Sequence, residues 1–267
     1  MPDHLNISII QTQLEWENKE ANLQHFARRI AEVRADTHIV VLPEMFSTGF
    51  SMNAQALAEP MDGTTVNWMK EMSVQHRRII TGSIIISEDG AYYNRLVWMQ
   101  PNGQCFHYDK AHLFGKAGED QYYTKGRKRL IVQVNGWKIL LQTCYDLRFP
   151  VWARQDNNSY DVLINVANWP DIRSFAWNAL LTARAIENQT YVVACNVVGK
   201  DGNGIYYSGR SSVIDYSGKT LWTAVGEPAI GYASLDKKML QEFRKDFPFL
   251  QDRDPFLILP DSSSREA

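Results

Sequence analysis

Strand-like runs set in pairs around two-residue turns, with helical segments between them, predict an α/β protein with a mixed sheet and helices outside. The chain has 267 residues, 45% of them hydrophobic, enough for a large core. It carries more strand-like runs than one sheet comfortably holds, so two packed sheets are expected. No compositional break marks a linker and no short repeat is visible. One domain over residues 1–248 and a C-terminal tail over 249–267 are therefore expected.

Leu5 to Ile10 alternates and reads as the first strand. Asn18 is placed to cap a helix whose apolar face is Leu23, Phe26, Ile30 and Val33. The β-branched run His38–Leu42 is a second, buried strand, stopped by Pro43 with Glu44 directly after it. A helix over Thr64–His76 leads to a strand over Arg78–Ser87. The turns at Asp89-Gly90 and Asn102-Gly103 separate that strand from Tyr93–Gln100, and Tyr93–Gln100 from Gln104–Asp109. Lys110 closes the last of these. His112 to Gly126 is polar, aromatic and glycine-bearing, and reads as a long loop.

Leu130–Val134 and Trp137–Gln142, joined by Asn135-Gly136, form a hairpin that ends at Cys144. A short helix over Pro150–Gln155 and a strand over Val162–Val166 follow. Ser174 is placed to cap a helix from Phe175 to Asn188. Strands over Tyr191–Val197, Ser211–Tyr216, Lys219–Trp222 and Ile230–Leu235 come next, and Asp236 caps a final helix ending near Phe247-Pro248. The tail, with Pro255, Pro260 and three serines, is expected to wrap or fray.

Charge is nearly balanced, with 28 basic and 30 acidic residues, so nothing supports a nucleic-acid or polybasic membrane role. The densest basic cluster, Lys125-Gly-Arg-Lys-Arg129, reads as a solvated loop. No apolar run approaches bilayer-spanning length. The opening Met1-Pro-Asp-His-Leu5 has neither the basic nor the apolar region of a secretory leader. Three cysteines, Cys105, Cys144 and Cys195, make no disulfide framework and fit a reducing cytoplasm. No CxxC or HExxH pairing suggests a metal.

Three strand ends carry reactive groups: Glu44, Lys110 and Cys144. Acyl transfer uses such a set. A thiolate attacks a carbonyl carbon, a carboxylate moves the protons, and an ammonium with a backbone N–H steadies the oxyanion. Singly, each residue reads as ordinary: a surface carboxylate, a strand-end lysine, a small buried thiol. The spacing also leaves open a Cys–His arrangement with His107 or His112. Cys105 and Cys195 read as core, and His25 and His38 as structural.

Leu42-Pro-Glu44-Met, Tyr108-Asp-Lys110-Ala-His-Leu-Phe114 and Cys144-Tyr-Asp-Leu-Arg-Phe-Pro150 resemble, in this order, the three signature motifs of the nitrilase (carbon–nitrogen hydrolase) superfamily. The resemblance runs from roughly Leu5 to Leu240. It implies a four-layer α-β-β-α sandwich, a homodimer or larger assembly, and no metal or organic cofactor. It also implies a triad of Glu44 as general base and acid, Lys110 as oxyanion stabiliser and Cys144 as nucleophile. Glu119 is implied as a supporting carboxylate, with Asp120 as the fallback, and the Tyr145 N–H as the second oxyanion donor.

Within the superfamily, Asn165–Arg173 and Thr182–Gln189 resemble the ω-amidase branch, whose members hydrolyse the terminal amide of 2-oxoglutaramate or 2-oxosuccinamate. Such a substrate carries a carboxylate and calls for a cation. Arg173, between a strand and a helix, is the candidate anchor, with Arg148, Arg210 and Tyr207 next. Phe46, Trp169 and Tyr145 are candidate pocket walls. Arg184 and Glu187, one helical turn apart, read as a structural pair. The alternatives are another aliphatic amidase or N-carbamoyl-amine hydrolase, nitrile hydrolysis, or a non-catalytic binding protein on the same fold.

Overall fold

Side chains alternate between the two faces of a strand, and here both faces of the central strands are apolar, so each sheet must be covered on both sides. The computed structural model describes residues 3–156 and 159–258. In chain order its elements are β1 (His4–Gln11), α1 (Lys19–Ala31), β2 (Ile39–Val41), α2 (Ala54–Leu57), α3 (Thr64–His76), β3 (Ile79–Glu88), β4 (Ala91–Met99) and β5 (Cys105–Asp109). Then come α4 (Glu119–Tyr122), β6 (Leu130–Val134), β7 (Trp137–Thr143), α5 (Pro150–Ala153), β8 (Val162–Val166) and α6 (Ser174–Asn188). The last are β9 (Tyr191–Cys195), β10 (Val198–Lys200), β11 (Tyr206–Ile214), β12 (Thr220–Val225), β13 (Ala229–Asp236) and α7 (Lys237–Asp246).

One sheet runs β13-β1-β2-β3-β4-β5 and the other β10-β11-β9-β8-β7-β6, with β12 on β11. Each has three parallel strands at its centre, β1–β2–β3 and β7–β8–β9, and antiparallel strands outside them. Between the sheets lie Leu5, Ile7, Ile9, Ile39 and Val41 from one, and Ile139, Leu141, Val162, Ile164, Val166 and Val193 from the other. The intervening residues of the first sheet, such as Val40, Ile80 and Val97, pack under Leu23, Phe26 and Ile30 of α1 and Val66 and Met69 of α3. Those of the second, such as Leu140, Leu163 and Val192, pack under Trp177, Leu181 and Ala185 of α6. The result is the four-layer α-β-β-α sandwich of the nitrilase type.

Most elements fall where the sequence puts them. The Asn18 side chain caps α1 by accepting the Ala21 N–H at 3.1 Å, and Asp236 caps α7 by accepting that of Met239 at 3.0 Å. Several expectations need correction. The long loop contains a 3₁₀ turn, Gly115–Ala117, and the one-turn helix α4. Ser174 does not cap α6: it is the first helical residue, after a 3₁₀ turn at Asp171–Arg173, and Arg173 occupies the cap with no side-chain bond. The Tyr191 strand ends at Cys195 and β10 follows, while β11 begins at Tyr206 rather than Ser211. Cys105 is exposed on the edge strand β5, whereas Cys195 is buried as expected. In the tail, Phe249–Asp252 form a 3₁₀ turn with Leu250 buried; Pro260 and the three serines lie outside the described residues.

Ile164 is fully buried between the sheets. Ile164→Ala is expected to cost about 2–5 kcal/mol of stability, because neighbours from two sheets cannot both collapse into the space. Urea unfolding measures this, and a loss under about 1 kcal/mol would show that the layer repacks freely.

Candidate active site

The carboxyl ends of β2, β5, β7 and β8 meet at one edge of the sandwich, and each is followed by a polar residue of the site. Beyond β2, the Leu42–Phe46 segment lies against Gly82 of β3. A Cβ there would sit 2.8 Å from the Leu42 Cβ and 2.9 Å from Phe46 Cδ1, so only glycine lets this segment seat. Beyond β5, the Gly126 N–H donates to the Lys110 carbonyl at 2.8 Å, and a Cβ on Gly126 would lie 2.0 Å from the Asp109 carbonyl oxygen. Beyond β7, Cys144 takes the left-handed φ of 45°, a conformation costly for a residue with a side chain.

Glu44, Lys110 and Glu119 are all fully buried. The Lys110 ammonium donates to Glu44 Oε1 at 2.8 Å and to both oxygens of Glu119, at 2.9 and 2.8 Å. Asn94 Nδ2 bridges the carboxylates, 2.8 Å from Glu44 Oε1 and 3.2 Å from Glu119 Oε1. Its own Oδ1 accepts the Ser83 hydroxyl at 2.7 Å. The Phe114 N–H donates to Glu119 Oε2 at 2.6 Å. From the other sheet, the Asn168 N–H donates to Glu44 Oε2 at 2.8 Å, and its side chain holds the Glu44 carbonyl at 2.6 Å. Every oxygen of the two carboxylates is thus partnered, as buried charge requires.

The Cys144 sulfur is buried 3.9 Å from the Asn168 carbonyl oxygen. Burial pushes its thiol well above the ordinary value; the Glu44 charge adds to that push and Lys110 opposes it. The resting group is therefore a neutral thiol beside a carboxylate. Burial also works against the Lys110 charge, but Glu119 and Glu44 outweigh it and hold Lys110 as an ammonium. Burial, with the Glu44 charge, pushes Glu119 up against the pull of Lys110.

A cavity of about 470 Å³ opens over Cys144. Tyr145, Trp169 and Arg173 line it, as do Arg148 and Tyr207. Arg173 lies over the Phe114 ring at 4.8 Å and Arg148 over the Trp169 ring at 5.0 Å. Among the described residues, neither guanidinium has a carboxylate partner. Phe46 is displaced from the expected wall: it is fully buried in the outer core, stacked edge-on to Phe26, because the turn after Pro43 points it under α1. Phe50 lines the cavity instead. Neither Arg210 nor Asp120 lines it, and Asp120 is exposed.

His107 is exposed on β5. His112 stacks on Phe149 at 3.8 Å and donates its Nδ1–H to Asp146 at 2.8 Å, so neither imidazole is placed on the sulfur. His25 bonds Thr12 at 2.8 Å and His38 accepts the Asn6 N–H at 3.0 Å, both as structural groups. Arg184 pairs with Glu187 at 2.9 Å. Sequence reasoning missed Asn94 and Asn168. Asn94 had a legible signal, since an amide inside a strand is disfavoured unless something uses it.

A family model described as carbon–nitrogen hydrolase matches residues 6–245. The Omega-amidase YafV of Escherichia coli K12 is 45% identical over 255 residues, covering 95% of this chain and 98% of that protein. The 2-oxoglutaramate amidase of Bacillus subtilis is 31% identical over 250 residues, covering 92% and 96%. Among solved structures, a CN-hydrolase superfamily protein of Xanthomonas campestris with an arsenic adduct in its active site superposes with a TM-score of 0.94 at 38% identity, covering 96% of this chain and 99% of that one. The buried Glu–Lys–Cys cluster at the strand ends and these likenesses agree: the chain belongs to the carbon–nitrogen hydrolase family of enzymes.

Proposed function

We propose that this enzyme is an ω-amidase that hydrolyses the terminal amide of 2-oxoglutaramate or 2-oxosuccinamate, giving the 2-oxo dicarboxylate and ammonia. The observation that carries the substrate class is that Arg148 and Arg173, which have no carboxylate partner among the described residues, line the cavity over Cys144. They suit a small amide with a carboxylate at its far end. The relatives named for the same activity support this reading.

In the proposed cycle Glu44 takes the thiol proton as the sulfur attacks the amide carbon. The oxyanion is met by the Lys110 ammonium and the Tyr145 N–H. Glu44 then gives the proton to the amide nitrogen, the C–N bond breaks to release ammonia, and the acyl group stays on Cys144 as a thioester. Water enters and attacks the thioester as Glu44 takes its proton, and the second tetrahedral adduct collapses to the acid, the sulfur leaving and regaining that proton from Glu44. Glu119 holds Lys110 in place throughout. The neutral thiol in the resting site favours this base-assisted attack over a standing thiolate.

We further propose a cytoplasmic homodimer with one domain through residue 248 and a tail beyond it. The shared inter-sheet core supports the single domain. Three free cysteines suit a reducing compartment, and recovery of the protein from an oxidising one would sink that placement. Phe175 and Ile186 lie on one face of α6, 86% and 52% exposed, with Ile172 just before them at 88%. Such a stripe suits burial against a second copy. Phe175→Glu is expected to shift the protein toward monomer in sedimentation velocity. A wild-type monomer at micromolar concentration would refute the dimer.

Cys144→Ala is expected to abolish ammonia release while the protein stays folded. Glu44→Gln should lower kcat by ~10²–10⁴-fold. Lys110→Ala should lower it by at least ~10²–10³-fold, since it also strips a counter-ion from two buried carboxylates. Steady-state kinetics with circular dichroism separates catalytic loss from unfolding; near-wild-type rates in all three would discard the triad.

A substrate carboxylate held by a guanidinium contributes about 1.5–3 kcal/mol. Arg173→Ala should therefore lower kcat/KM for 2-oxoglutaramate about 10- to 150-fold. An uncharged amide of similar length should lose far less, because it offers no anion, and Arg173→Lys should restore only part. The measured quantity is the ratio of kcat/KM for the two substrates. If Arg173→Ala leaves it unchanged and Arg148→Ala lowers it, the anchor is Arg148.

A further inference from the structure

Asp146 is a fully buried carboxylate two residues past Cys144, and the chemistry proposed above gives it no task. Its oxygens accept from four donors. Oδ2 takes the Tyr108 hydroxyl at 2.7 Å and the Thr143 N–H at 2.9 Å. Oδ1 takes the His112 N–H at 3.0 Å and the His112 Nδ1–H at 2.8 Å. Tyr108 is itself held, its oxygen accepting the Ala111 N–H at 3.2 Å and the Trp152 indole N–H at 2.9 Å.

The positions of these donors matter more than their number. Tyr108 and His112 flank Lys110 by two residues on either side. Thr143 directly precedes Cys144. One carboxylate therefore ties the chain carrying the ammonium, on the first sheet, to the chain carrying the sulfur, on the second. The Thr143 bond also closes the turn around Cys144, whose left-handed φ of 45° needs an external hold.

We propose that Asp146 is a positioning residue that sets the spacing between the Lys110 ammonium and the Cys144 sulfur across the two sheets. The inference rests on the roles proposed for those two residues. A misplacement of about 1 Å at a reacting centre costs on the order of 10²-fold in rate. Asparagine is no substitute. Each oxygen faces two donors, so either orientation of the amide turns an NH₂ against N–H or O–H groups.

The test is Asp146→Asn, assayed with 2-oxoglutaramate. Active sites are counted as the fraction of Cys144 that 2-oxoglutaramate shields from prolonged iodoacetamide labelling, resolved by peptide mass from the exposed Cys105. The expected result is a fall in kcat per shielded site of about 10- to 100-fold, with KM changed less than about 3-fold. A merely structural residue would reduce the number of sites and leave kcat per site at the wild-type value, and that result overturns the proposal. If Asp146→Asn does not fold, Tyr108→Phe decides. It keeps the carboxylate, removes one of its donors and the acceptor of the Ala111 and Trp152 N–H groups, and should lower kcat per site by about 3- to 10-fold; no change overturns the proposal. Wild-type enzyme that stays active after complete labelling of Cys144 would instead refute the nucleophile itself, which keeps the two failures apart.

Discussion

One ammonium shared by two carboxylates, all without access to solvent, is the constraint the site is built around. Burying three charges is costly, and their attraction offsets that cost only when every remaining oxygen has a donor. Asn94, Asn168 and the Phe114 N–H supply those donors, and they come from both sheets and from the loop between them. The charge cluster therefore has all its donors only once the sandwich has closed. Its geometry is in turn fixed by the sandwich, which is what a preorganised oxyanion site needs.

The same arrangement explains why the nucleophile rests as a thiol. Burial is the main force that disfavours the thiolate, and the carboxylate excess beside the sulfur adds to it while leaving a base at hand to take the proton during attack. Reactivity is thus created at the moment of substrate contact. That limits idle oxidation or alkylation of a cysteine that a standing thiolate would invite.

Much of this was legible in the sequence because the signals were local. Strand alternation, Asn-Gly turns and helix caps fix β6–β7, α1 and α7 nearly to the residue, and the three motifs mark Glu44, Lys110 and Cys144. What was not legible depends on packing between distant segments. Phe46 and Phe50 have the same chemistry four residues apart, and only the turn after Pro43 decides which reaches the cavity. Ser174 has the right chemistry for a cap, yet the preceding 3₁₀ turn already carries the chain into the helix. Asn94 and Asn168 lie far apart in sequence and meet only because the sheets face each other.

The far wall of the cavity is made differently from its catalytic floor. Trp16 lines it from the segment between β1 and α1 and fits between two glycines. A Cβ on Gly49 would come within 3.0 Å of its ring, and one on Gly202 within 2.3 Å. None of these three residues belongs to the charge cluster. A smaller residue in place of Trp16 would widen the chamber and make room for a side chain at Gly202, whereas Gly49, at a φ of 78°, stays bound to glycine.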